Sequence, residues 1–159
     1  MMNAARRRRT HAVSSALRNS PPAGKKILVV DDDLPSREGL KDSLLAEGYR
    51  VETAADGWQA LRTILTGRFD VAIIDLELPV VHGVRVSGCD ITRIVRAYNP
   101  AVSIILVSAD DSQAVRAQAE QFRVAEFLEK PISPARLKAI VSHLDPRSEA
   151  DPGEDALRF

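Results

Sequence analysis

From Lys25 onward, short apolar runs alternate with amphipathic stretches. "KKILVV" is followed by "SREGLKDSLLAEG", "YRVETA" by "GWQALRTILTG", and "FDVAIID", after an irregular stretch, by "CDITRIVRAY". "AVSIILVS" then leads into "DSQAVRAQAEQF", and "VAEFLEK" into "SPARLKAIVSHL". The continuous apolar runs are of strand length and suit strands covered on both faces, whereas the amphipathic stretches repeat with the period of a helix. Leu40, Leu44 and Leu45 are expected to share the buried face of the first helix, and Trp58, Leu61 and Leu65 that of the second. Gly48 is placed to end the first helix; Ser133 is placed to cap the last, with Pro134 at its first position. Strands alternating with helices of about 10 to 15 residues imply parallel pairing through right-handed crossovers. The expected fold class is therefore α/β, a doubly wound five-stranded parallel sheet with helices on both faces.

Composition adds boundaries. "NSPPAG" at 19–24 reads as a linker, so the expected division is a basic, disordered tail over 1–24, a folded domain over 25–145 and an acidic, disordered tail over 146–159. Apolar residues make up 45% of the chain but aromatics only 4%, so the core must be built from Val, Ile, Leu and Ala. Cys89 is the only cysteine, which excludes an internal disulfide and fits a reducing, cytoplasmic setting. Apolar runs fall far short of the roughly 20 residues of a membrane span. The formal net charge of zero is unevenly distributed: residues 1–26 hold seven bases and no acid, leaving 15 bases against 22 acids in the rest. An acidic body argues against a nucleic-acid-binding domain, and the "RRRR" run reads as a solvated arm.

In a doubly wound sheet, binding sites lie outside the carboxyl ends of the strands. The first strand ends in Asp31, Asp32 and Asp33, the third in Asp75, the fourth in Ser108, and the fifth in Lys130 followed by Pro131. Carboxylates brought together at one edge repel one another unless a cation sits among them, and a hard divalent ion such as Mg2+, with oxygen ligands, meets that need. Asp75, at the centre, is then placed to attack phosphorus and form an aspartyl phosphate. Mg2+, the Lys130 ammonium and the Ser108 hydroxyl would each take one phosphoryl oxygen, small Ala109 would leave a path for the donor, and Pro79 would hold the loop after Asp75.

With "ILVVDDD", "VAIIDLELP", "IILVSA" and "EFLEKP", the chain resembles the receiver domain of a two-component response regulator over roughly residues 25–145. The resemblance implies a flavodoxin-like sheet of order 2-1-3-4-5 and Asp75 as the phosphate-accepting residue. It further implies Mg2+ held by Asp31, Asp32, the latter more directly, Asp75 and the backbone carbonyl of Glu77. Ser108 matches the switch hydroxyl, Phe127 the aromatic switch position, and Lys130 the phosphate-contacting lysine, with a cis bond to Pro131. The implied phosphodonor is a sensor histidine kinase or a histidine phosphotransfer protein. Output is expected through an unknown downstream protein rather than a DNA-binding domain, since few residues follow Leu144. Self-pairing as a homodimer through the fourth or fifth helix stays open. The chain is expected to be a signalling phosphoacceptor rather than an enzyme in the ordinary sense.

Three departures from the family pattern stand out. About five residues are inserted after Gly83, and "VVHGVRVSG" predicts a tiny hairpin around the His-Gly pair, delaying the third helix to about Cys89. The insert is expected either to shape access to Asp75 or a partner surface, or to be a tolerated surface addition. His82 has no ligand spacing and is given no metal role. Arg123 and Val124 stand where relatives often have Gly-Ala, and acidic Glu77 and Asp110 flank the pocket at positions linked to dephosphorylation rate. The rival readings are an aspartyl-phosphate hydrolase, for which Glu77 stands in place of a second catalytic Asp, and a receiver-like interaction module not regulated by phosphorylation.

Overall fold

The computed structural model describes residues 24–144; the tails expected at 1–24 and 146–159 lie, apart from Gly24, outside the described residues. The chain runs β1 (Lys26–Val30), α1 (Leu34–Ala46), β2 (Arg50–Ala54), α2 (Gly57–Thr66), β3 (Val71–Asp75), β4 (Val80–Val81), β5 (Val84–Arg85), α3 (Gly88–Tyr98), β6 (Ser103–Ser108), α4 (Gln113–Gln121), β7 (Glu126–Glu129) and α5 (Pro134–His143). Five strands form one parallel sheet of order β2-β1-β3-β6-β7, while β4 and β5 pair separately as an antiparallel hairpin. The expected order, with the hairpin set aside, is the observed one.

Successive strand residues point to opposite faces, and both faces are covered. Ile27, Val29, Val71, Ile73, Ile105 and Val107 pack with Leu40, Leu44, Leu137 and Val141, which places α1 and α5 on one face. Leu28, Val30, Ala72, Ile74, Ile104 and Leu106 pack with Ala60, Ile91, Val95 and Ala119, which places α2, α3 and α4 on the other. This two-sided burial explains why the central strands read as unbroken apolar runs.

Turn chemistry follows the sequence closely. Asp33, Asp56, Ser87, Ser112 and Ser133 each cap the helix that follows, and Ser87 forms a reciprocal capping box with Asp90. Gly48 ends α1 at a φ of +89°, and its amide donates to the Leu45 carbonyl. The buried faces of two helices differ from expectation. Leu45 is exposed, because the inward stripe of α1 runs through Leu40 and Leu44, and Leu45 lies about 100° round the helix from Leu44. Trp58 and Leu65 are also exposed, and α2 turns Gly57, Ala60, Leu61 and Ile64 inward instead. The cause is steric: a Cβ on Gly57 would lie 2.3 Å from the Val86 carbonyl oxygen, so that face of α2 sits hard against the insert.

The insert itself is a two-residue-turn hairpin, as expected. His82 and Gly83 take φ values of +51° and +74°, the paired positive angles of a type I′ turn, and Val81 lies opposite Val84. Beyond it, Val86 is buried in the core and α3 starts at Gly88, one residue before the expected position. A Cβ on Gly88 would lie 2.3 Å from the Asp75 carbonyl oxygen. The insert is thus clamped between the end of β3 and the start of α2. Among the described residues, no helix is long and apolar enough to cross a membrane.

Candidate functional site

Strand register decides which side chains meet. Val30 lies opposite Ile74, so the next residues, Asp31 and Asp75, come level at the carboxyl edge. Counting on with a period of two, Asp31, Asp75 and Lys130 fall on the α1/α5 side of the sheet, whereas Ser108 falls on the other. The contacts agree. Lys130 Nζ lies 2.6 Å from Asp75 Oδ2 and 3.2 Å from Asp31 Oδ2, bridging residues from three strand ends. Carboxylate oxygens of Asp31, Asp32 and Asp75 lie within 4.8 Å of one another.

The three carboxylates sit in different settings. Asp75 is buried, and its Oδ1 accepts a hydrogen bond from the Glu77 amide at 2.9 Å. Asp31 is buried too: its Oδ1 accepts from the Asp33 amide at 2.9 Å and its Oδ2 from the Ser36 hydroxyl at 2.8 Å. Arg37 donates to the Asp31 carbonyl at 2.7 Å, fixing the main chain there. Asp32 is exposed and accepts no hydrogen bond from the described residues. Asp33 turns away to cap α1, accepting from the Ser36 amide.

Three carboxylates and one ammonium leave the pocket with excess negative charge. Burial pushes the Asp75 carboxyl above the ordinary carboxylate range; the Lys130 hydrogen bond and the Glu77 amide pull it back, and the Asp31 charge adds to the rise. Burial pulls the Lys130 ammonium down, but its hydrogen bond to Asp75 and the charges of Asp75 and Asp31 outweigh this and hold it above the usual lysine value. A group of hard oxygen donors that includes a carboxylate with no protein partner fits a hard divalent cation such as Mg2+.

The remaining expected residues lie around this centre. Ser108 is buried; its Oγ accepts from the Asp110 amide at 3.0 Å, and its carbonyl accepts from the Lys130 amide at 2.9 Å. Ala109 and Pro79 are exposed at the rim, and the Lys130–Pro131 bond is cis. Phe127 is half-buried on β7 beneath the Arg116 guanidinium, 5.0 Å from its ring centre, and Arg116 is ion-paired with Asp111. Arg123 occupies the left-handed region at a φ of +53°, a conformation that glycine adopts without the steric cost of a Cβ. Its carbonyl accepts from Arg96 at 2.7 Å, and Arg96 also donates to the Phe122 carbonyl, tying α3 to the end of α4. Sequence reasoning missed Ser36, Arg37 and Arg96. The signal for Ser36 is its place three residues after the Asp33 cap, where a first-turn side chain faces back toward β1.

Comparison with known proteins agrees with this geometry. Residues 27–142 match the family model described as "Response regulator receiver domain". Response regulator MprA of Mycobacterium sp. (strain KMS) is 35% identical over 136 residues, which cover 84% of this chain and 57% of that protein. The chain thus spans a little over half the length of the curated relatives it matches. Response regulator protein TrrA of Thermotoga maritima, solved in complex with Mg(2+)-BeF, is 33% identical with a TM-score of 0.64, over 76% of this chain and 98% of that one. A CheY-like receiver domain protein of Methanospirillum hungatei gives 28% identity and a TM-score of 0.69, over 78% of this chain and 96% of that one.

Proposed function

The chain belongs to the response regulator receiver family, and on that premise we propose that it is a phosphoacceptor in a two-component phosphorelay. In this reading, Asp75 takes a phosphoryl group from the phosphohistidine of a sensor histidine kinase or a histidine phosphotransfer protein. What supports it most is the junction of Lys130 with Asp75, 2.6 Å apart, inside a cluster whose three carboxylates lie within 4.8 Å of one another.

A carboxylate oxygen of Asp75 forms a bond to phosphorus while the bond from phosphorus to the donor imidazole nitrogen breaks, and the departing imidazole takes up a proton from solvent. Asp31, Asp32, Asp75 and the Glu77 carbonyl would hold Mg2+, which when bound neutralises charge on the phosphoryl oxygens. Lys130 turns from the Asp75 carboxylate to a phosphoryl oxygen. Ser108 exchanges the Asp110 amide for another, and Ala109 leaves the donor's approach open. Water later hydrolyses the acyl phosphate, with exposed Glu77 and Asp110 beside its path.

The modification replaces the single negative charge of the Asp75 carboxylate with the roughly two of a phosphoryl group, a net gain of about one. Movement of Ser108 toward them vacates space on the α4 side of the sheet, and Phe127 with its Arg116 cover responds. The α4–β7–α5 surface is then read by a downstream protein. The whole cycle belongs in the cytoplasm, where the free Cys89 thiol stays reduced. To test it, the protein is incubated with Mg2+ and a phosphorylated histidine phosphotransfer protein or acetyl phosphate, and its intact mass is followed. The reading expects one phosphoryl group on Asp75, absent without Mg2+ and absent from Asp75→Asn. A wild-type protein left unmodified would return the chain to the class of unregulated interaction modules.

A further inference from the structure

Asp31 and Asp32 are neighbours in sequence but differ in how the protein holds them. Asp32 is exposed and has no donor among the described residues, whereas both oxygens of Asp31 are engaged by the Asp33 amide, the Ser36 hydroxyl and the Lys130 ammonium. Two of those three donors are fixed. The Asp33 amide belongs to the backbone, and Ser36 stands in the first turn of α1 with its own amide tied to the Asp33 cap at 2.9 Å. Lys130 is the mobile donor, shared with Asp75. Arg37 holds only the Asp31 backbone, so the orientation of the carboxylate rests on Ser36 at one oxygen and the Asp33 amide at the other.

We infer that Ser36 is a positioning residue: its hydroxyl holds the Asp31 carboxylate in the one orientation that leaves Lys130 shared between Asp31 and Asp75 and keeps the cluster formed for a divalent cation. The inference rests on the phosphoacceptor reading of the site. Without the hydroxyl, Asp31 Oδ2 keeps only the Lys130 ammonium, the carboxylate turns about its bond to the Cα-bearing carbon, and Lys130 follows it. Partners that orient metal-binding carboxylates typically change metal affinity by about 10- to 100-fold when removed. The lower end applies here, because the Asp33 amide remains.

The test is calorimetric titration of Mg2+ alone into the purified chain. Ser36→Val and Ser36→Thr have nearly the same shape and differ in the hydroxyl, so folding effects of branching are common to both. Ser36→Thr should bind Mg2+ within about twofold of wild type, and Ser36→Val about tenfold more weakly. In the Asp31→Ala background the two should bind alike, since the carboxylate that the hydroxyl orients is gone. Equal Mg2+ affinity of the Thr and Val variants in the Asp31 protein overturns the inference, as does an equal gap in both backgrounds, which would mark a purely structural effect. If wild-type protein itself takes up no Mg2+, the reading of the site fails instead, and the two failures are told apart in one experiment.

Discussion

Along β1, β3 and β6, residues 27–30, 71–74 and 104–107 send aliphatic side chains alternately into two dry layers, and one position further along, after residues 30 and 74, aspartates crowd round a single lysine. The layers are locally contented, since every group there gains by leaving water. The edge is not: Asp75 is buried, like-charged with its neighbours, and held above the ordinary carboxylate range. Stability and chemistry are thus separated by one residue of strand, and substitutions on either side of that line should have opposite consequences.

The largest expected effect is at the edge. Asp75→Asn should lower phosphorylation roughly a thousandfold or more, because it removes the nucleophile. In Mg2+-free buffer near pH 8, the same change should raise unfolding free energy by about 1 kcal/mol, since it removes the cost of burying a charge and, to a smaller degree, the repulsion from Asp31, while Lys130 keeps Asp31 as its partner. Denaturant melts and phosphotransfer assays on one preparation check both halves. Below the edge the pattern should invert. Ile105→Ala, at a fully buried position facing α1 and α5, should lose about 3 kcal/mol of stability while Mg2+ affinity stays within about twofold.

Acidity sharpens the contrast further. The raised folded-state pKa of Asp75 means the folded chain binds that proton more tightly than the unfolded chain, so this group's contribution weakens the fold as pH rises from the ordinary carboxylate range to the raised value. The stability gap between wild type and Asp75→Asn should therefore shrink as pH falls through the raised value and close below the ordinary carboxylate value of about 3.9, where the group is protonated in both states. Mg2+ affinity of wild type should fall by about tenfold per pH unit below the raised value, as protons displace the ion. The smallest effect is expected away from both regions: Arg123→Gly should stabilise the fold by about 0.5 kcal/mol, because glycine takes the left-handed conformation freely but gives some of that back as unfolded-state entropy.

Much of this was readable in the residues themselves. The apolar runs, the Ser133-Pro134 start, the Gly48 stop and the His-Gly turn of the insert are local signals, and each formed as expected. Asp31, Asp75 and Lys130 were expected to converge because parallel strands bring their ends to one edge, and they do so over a separation of 99 positions between Asp31 and Lys130. What escaped depends on packing between elements. Helical periodicity placed Leu45, Trp58 and Leu65 inward, but the rotation of α2 is set by the backbone of Val86 pressing on Gly57, a contact no local pattern encodes. Ser108 was expected at the same edge, and it stands there at the end of β6, but the pleat turns its hydroxyl to the other face, where the Asp110 amide is its partner. Ser36 was passed over because its place three residues after the Asp33 cap reads first as ordinary capping chemistry, and the fold is what brings Asp31 within its reach.

The central claim, that the crowded edge is built to receive a phosphoryl group alongside a divalent ion, is tested most directly by fluorine NMR of the protein with beryllofluoride, an acyl-phosphate mimic. With Mg2+ present, the account predicts bound resonances at one equivalent that vanish on chelation and are absent from Asp75→Asn. Folded wild-type protein that shows only free beryllofluoride at saturating Mg2+ would contradict it.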